Sequence, residues 1–226
     1  MSTPSKFRGR PGALGRRAAR MLGLLCLLAG GVRAADAPEH RIVFFGDSLT
    51  AGYGLADPDT QSYPARIRQR IESLHLPWRV VNAGLSGETS AGGLRRVDWV
   101  LAQRPDIFFL ELGANDGLRG TPTEATRESL QAIIDRVRSR CPGARIVLAG
   151  MRMPPNLGAD YADAFRTLFP ALAKKNQIAL VPFLLDGVAE NPALNQADGI
   201  HPNAAGASIV ADGVWKVLGP LLVSGP

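Results

Sequence analysis

Between residues 40 and 221 short apolar runs alternate with longer stretches in which apolar side chains recur every three or four positions. The runs at 42–45, 79–82, 107–112, 145–151 and 178–181 are rich in β-branched and aromatic residues, with little polar alternation. Strands of that composition are covered on both faces. Helical spacing separates them: Ile67, Ile71 and Leu74 fall at i, i+4 and i+7, and Leu130, Ile133, Ile134 and Val137 share one face. Val210, Val214, Val217, Leu218 and Leu221 do the same in a final helix, and Pro202 is expected in its first turn, where a missing N–H costs nothing. Five strands alternating with helices predict an α/β fold, a parallel sheet between two helix layers. The longest irregular stretches, 46–60, 152–160 and 182–203, all follow the carboxyl ends of predicted strands. Loops of that length in a compact domain are often functional.

In open parallel sheets, ligands bind outside the carboxyl ends of the strands. Four polar segments fall at that rim: Gly46-Asp47-Ser48-Leu49 after the first strand, Gly84-Leu85-Ser86-Gly87 after the second, Gly113-Ala114-Asn115-Asp116 after the third, and Asp198-Gly199-Ile200-His201 after the fifth. Together they hold the parts that acyl transfer needs. A serine hydroxyl attacks, a histidine takes its proton, and an aspartate holds the imidazole in the right tautomer. Ser48, His201 and Asp198 are the candidates, with Asp198 and His201 able to point the same way if their turn is helix-like. Preorganised N–H donors must also meet the oxyanion that forms. The candidate donors are the backbone N–H groups of Ser48 and Gly87 and the side-chain amide of Asn115.

Each residue has a plainer reading. Ser48 alone suits a helix N-cap; Gly87, Gly113 and Asn115 suit turns; Asp116 suits a structural partner or cap. His40 and His75 are expected to be solvated. Met151, Met153, Leu157 and Leu118 lie on loops near the expected site, where they line an acyl groove or simply pack their loops.

Composition changes the picture mainly at the amino end. The formal charge is +6, from 26 basic and 20 acidic residues. Seven of the basic residues and none of the acidic ones fall in residues 1–34, which leaves 19 against 20 in the rest. An apolar stretch at 21–32 follows the basic residues, with Val32 and Ala34 three and one positions before a cleavage point. That is the layout of a secretory signal. The stretch is too short for a stable membrane span of about 20 residues. Residues 35–226 are then a single domain, expected to be a monomer in the periplasm or outside the cell, with no nucleic-acid partner. That domain keeps one cysteine, Cys141, which cannot form an internal disulfide. No histidine pair has zinc-ligand spacing. The glycine-rich segment from Gly87 to Gly93 lacks the lysine of a phosphate loop, and Gly52-Tyr53-Gly54 lacks the third glycine of a dinucleotide site. No cofactor or metal is inferred.

The four segments, extended to Gly46-Asp47-Ser48-Leu49-Thr50-Ala51-Gly52, Asn82-Ala83-Gly84-Leu85-Ser86-Gly87-Glu88, Leu112-Gly113-Ala114-Asn115-Asp116 and Asp198-Gly199-Ile200-His201-Pro202-Asn203, resemble the motif blocks of the SGNH, or GDSL, hydrolases. Within that family they look most like the bacterial thioesterase I, lysophospholipase and arylesterase group. The resemblance covers nearly all of 41–221 and includes Met153-Pro154-Pro155-Asn156 after the fourth strand. It implies a flavodoxin-like three-layer α/β/α sandwich, Ser48 as nucleophile with Asp198 and His201, an oxyanion hole of Ser48, Gly87 and Asn115, and Met153, Asn156 and Leu157 against the substrate. It implies hydrolysis of carboxylic esters and thioesters, with a small acyl ester or lipid as substrate. A carbohydrate acetylesterase on the same fold, or a binding module without catalysis, stands as the alternative.

Overall fold

The structure, a computed structural model, describes residues 40–154 and 157–223. The expected signal at 1–34 and the substrate contact expected of Asn156 lie outside the described residues. Among the described residues five strands form one sheet: β1 (His40–Gly46), β2 (Trp78–Gly84), β3 (Ile107–Glu111), β4 (Arg145–Ala149) and β5 (Ala179–Val181). Their order is β2-β1-β3-β4-β5, parallel at every step. That is the flavodoxin-like winding, in which the strand order reverses between β1 and β3 and leaves a crevice at their carboxyl ends.

Neighbouring residues in β1 face opposite layers, as the period of two requires. Phe44 meets Tyr63 of α3 (Tyr63–Ser73) at 5.6 Å between ring centroids, and α3 packs on α8 (Ala204–Val223). Phe45 turns the other way, under the guanidinium of Arg96 in α4 (Ser90–Leu101) at 4.2 Å. On that side α4 packs on α6 (Thr123–Arg140), and α6 on α7 (Ala159–Asn176). Ile42, Val43, Phe44 and Phe45 are wholly buried, as are Ile107, Phe108, Phe109 and Leu110 in β3. Burying one such side chain contributes about 1.5–3 kcal/mol, so β1 and β3 carry much of the core. The predicted α/β/α sandwich is therefore the fold.

Several expected boundaries move. Leu74 is not on the inner face of α3 but caps its end, 54% exposed, because His75 takes a left-handed φ of 52° and turns the chain away. Pro202 is not in the first turn of α8. It bridges back to Asn195, and the Asn203 side chain instead accepts from the N–H groups of Ala205 and Gly206, as an N-cap does. His40 is half-covered, stacked 5.0 Å from Trp78 and 3.7 Å from Asp106, rather than freely solvated. The length and apolar character of α8 would suit a membrane span. Val214 and Leu218 are nevertheless wholly buried against the domain, and the indole N–H of Trp78 donates to the carbonyl of Leu222. It packs as a core helix.

Candidate active site

The first strand ends at Gly46, and α1 (Ser48–Ala51) begins two residues later. The turn is held by Asp47, not by Ser48: the Asp47 carboxylate accepts from the N–H of Leu49 and caps α1. Ser48 is therefore the first helical residue, half-buried, with its hydroxyl at the carboxyl edge of the sheet. His201 reaches it from a hairpin-like loop 153 residues further on, Nε2 lying 2.9 Å from Ser48 Oγ. The other imidazole nitrogen, Nδ1, lies 2.7 Å from Asp198 Oδ2. With the Nδ1 proton donated to Asp198, Nε2 is left to accept from the serine hydroxyl.

The turn joining Asp198 to His201 is not helix-like. Asp198 Oδ1 accepts from the N–H groups of Ile200 and His201 in an Asx turn, and Gly199 takes a φ of +70°. Burial alone would raise the Asp198 carboxyl, but those two N–H donors and the imidazole outweigh it and lower it to about 2. Asp198 thus carries its charge throughout the neutral range.

Three N–H groups border the same space. Asn115 sits in α5 (Ala114–Leu118), immediately after β3, and its amide donates to Asp47 Oδ2 at 3.0 Å. Gly87 follows β2 with a φ of +79°, and its carbonyl accepts from Arg119. Among the described residues, neither the N–H of Ser48 nor that of Gly87 donates within the chain. Asp116 is a structural partner: its carboxylate accepts from the backbone N–H and the hydroxyl of Ser90 at the start of α4.

A cleft of about 880 Å³ opens from these groups. Ser48, Gly87, Asn115 and His201 border it, with Leu118, Met151, Met153, Phe183 and Leu185 in its wall. Leu157 is not in that wall. Its N–H donates to the Pro154 carbonyl at 3.4 Å, and it is 39% exposed. Among the described residues no group of three or more His, Cys, Asp or Glu could hold a metal ion.

The sequence reading passed over the floor of the site. Asp47 and Glu111 are both wholly buried, and the N–H of Asp47 donates to Glu111 Oε2. The Thr50 hydroxyl donates to the same oxygen and also meets the Tyr63 hydroxyl at 2.7 Å. Burial raises Asp47 to about 6, against the hydrogen bonds from Leu49 and Asn115. Burial, then the nearby Asp47 charge, push Glu111 well above the usual carboxylate range. The signal was present in the sequence as one carboxylate closing an apolar strand, between Leu110 and Leu112.

Comparison with known proteins shows the family. The sequence model of the GDSL-like Lipase/Acylhydrolase family matches residues 44–209. The chain belongs to that family. Esterase TesA of Pseudomonas aeruginosa is 38% identical over 207 residues, covering 91% of this chain and 100% of the relative. Thioesterase 1/protease 1/lysophospholipase L1 of Escherichia coli is 37% identical over 199 residues, covering 88% and 90%. The crystal structure of the psychrotrophic esterase EstA from Pseudoalteromonas sp., inhibited by monoethylphosphonate, superimposes with a TM-score of 0.76 at 30% identity, covering 81% of this chain and 99% of that one. This GDSL acylhydrolase is an enzyme of carboxylic ester hydrolysis, built on the SGNH fold.

Proposed function

We propose that the chain is an exported serine hydrolase that cleaves carboxylic esters and thioesters through an acyl-enzyme on Ser48. The observation that carries the reading is the unbroken series Ser48 Oγ, His201 Nε2, His201 Nδ1, Asp198 Oδ2, with contacts of 2.9 and 2.7 Å. His201 takes the serine proton as Oγ attacks the carbonyl carbon, and Asp198 stabilises the imidazolium that results. The N–H groups of Ser48 and Gly87 and the Asn115 amide meet the developing oxyanion. His201 returns the proton to the departing alcohol or thiol, leaving the acyl group on Ser48. Water, deprotonated by His201, then attacks, releasing the acid and restoring the serine.

Thioesters and aryl esters have leaving groups that need little protonation, so one site serves both. A relative named thioesterase and lysophospholipase supports that breadth. The wall of Leu118, Met151 and Met153 supports an acyl chain over a bare acetyl group, which disfavours the sugar esterase. Export rests on the basic and apolar layout of residues 1–34, with a single domain at 35–226 working as a monomer outside the cytoplasm. Secreted or periplasmic protein beginning at Ala35 is the expected result of cell fractionation and amino-terminal sequencing; cytoplasmic protein of full length would count against export. Ser48→Ala is expected to lose at least about 10⁴-fold in kcat on p-nitrophenyl esters and all labelling by a fluorophosphonate. Undiminished turnover would overturn the assignment.

A further inference from the structure

Asp198 and His201 need more than their mutual bond to hold their loop against the serine. That loop is exposed on one side: Asp198, Gly199 and Ile200 all face solvent, and no regular element lies between Val181 and Ala204. Its ends are stitched into a short hairpin, the N–H of Asn203 donating to Leu194 and that of Gln196 donating to the carbonyl of His201 at 2.8 Å. The Gln196 carbonyl accepts in turn from the N–H of Gly199. The main chain of Gln196 thus brackets the histidine turn from both sides.

Its side chain does something different. Gln196 Nε2 donates to the carbonyl of Pro202 at 3.0 Å and to the carbonyl of Tyr53 at 2.7 Å. Tyr53 lies just beyond the helix that carries Ser48, 143 residues away in sequence, and its ring packs 4.8 Å from the His201 ring. One primary amide nitrogen has two N–H donors, and here one goes to each of the two loops that must meet. The neighbouring Gly54 is shaped for this contact. A Cβ there would stand 2.0 Å from Gln196 Oε1, and Gly54 takes a φ of +72° that favours glycine in any case.

We infer that Gln196 is a positioning residue for catalysis: its side-chain amide ties the Asp198–His201 hairpin to the Tyr53–Gly54 segment and so sets the distance between His201 and Ser48. The inference rests on the catalytic reading of those two residues. Elsewhere the hairpin is held by Asn195, whose amide donates to the Val188 and Asn191 carbonyls, and by Asn203, whose amide donates to that of Ala193. Those bonds lie within the same long loop and its flank. The Gln196 side chain, by contrast, bonds across to the nucleophile's own segment. Loss of the amide leaves the hairpin folded but free to drift, and misplacement by about 1 Å costs up to about 100-fold in rate.

Three variants test this in the full chain, with p-nitrophenyl esters as substrate. Gln196→Ala removes the amide. Gln196→Glu keeps its shape but offers no N–H to either carbonyl. Gly54→Ala crowds the amide from the other side. Each is expected to lower kcat by about 10- to 100-fold with KM changed by less than about twofold and with a cooperative thermal transition retained. In the Gln196→Ala background, Gly54→Ala is expected to cost less than it does alone, because the amide it displaces is gone and only the backbone strain at φ +72° remains. Wild-type kcat in Gln196→Glu, a change confined to KM, or full additivity of the double variant would each overturn the inference. His201→Ala, measured beside them, separates the two readings. If it retains activity, the catalytic assignment itself fails; if it is inactive while the Gln196 variants turn over normally, only the positioning role fails.

Discussion

Asp47 and Asp198 flank the same serine and are opposites. Asp47 is wholly buried behind Ser48, beside a second buried carboxyl, and its carboxyl is raised to about 6. Asp198 sits on an exposed loop, and hydrogen bonds from two backbone N–H groups and the imidazole bring it down to about 2 despite the cost of burial. Residue type does not decide how readily each carboxyl ionises; surroundings do. The exposed aspartate is held ionised and faces the imidazole. The buried one is held where ionisation is disfavoured, and it serves by geometry, capping α1 through Leu49 and orienting the Asn115 amide.

That contrast can be broken at several points, and the largest effect is expected at Asp198. Asp198→Asn keeps the shape but leaves the imidazolium without a counter-charge and favours the wrong tautomer, and a loss of about 10⁴-fold in kcat is expected with the fold intact. A loss under tenfold would mean that the exposed charge is idle. Asn115→Ala comes next, at about 10²–10³-fold in kcat, since it removes one oxyanion donor. Steady-state kinetics on a single activated ester measure both. Asp47→Ala should fall at or below that second effect if the buried aspartate acts only through Asn115 and the α1 cap. A drop equal to that of Asp198→Asn would erase the distinction between them.

The smallest expected effect is on stability, and its sign separates the two aspartates. A carboxyl raised in the folded state favours folding below its unfolded value and loses that contribution as pH rises through the folded value. Asp47 and Glu111 are of this kind, with the Asp47 loss falling between about 4 and 6 and that of Glu111 continuing higher. Asp198, lowered to about 2, favours folding above about 4 and loses that contribution as pH falls toward 2. Glu111→Gln removes one of the buried ionisations. Its thermal midpoint relative to wild type is therefore expected to rise as pH increases from about 5 upward. A parallel pair of pH curves would show that Glu111 does not titrate in this window.

The same contrast explains what could be read from the sequence. The sheet was legible because residues 42–45 and 107–110 are wholly buried and their β-branched and aromatic runs stand out. Helices α4 and α7 did not stand out, because Gly92 and Gly93 interrupt one and Pro170 the other. The residues proposed to react were legible because acyl transfer needs such side chains at successive strand ends. Three features were not. The Asp47–Glu111 floor depends on a contact between strands 64 residues apart. The Asp198 turn is set by an Asx bond that helical spacing does not anticipate, and Gln196 acts by reaching a carbonyl 143 residues away. Long-range hydrogen bonds leave no periodic mark on a sequence.

The central claim is a covalent acyl group on Ser48, and intact-protein mass spectrometry with peptide mapping reads it directly. Enzyme quenched in acid during turnover of a p-nitrophenyl ester should carry one acyl adduct, confined to the peptide that contains Ser48, and His201→Ala should carry none. Continued turnover with no adduct, or an adduct mapped to any other residue, would contradict the account.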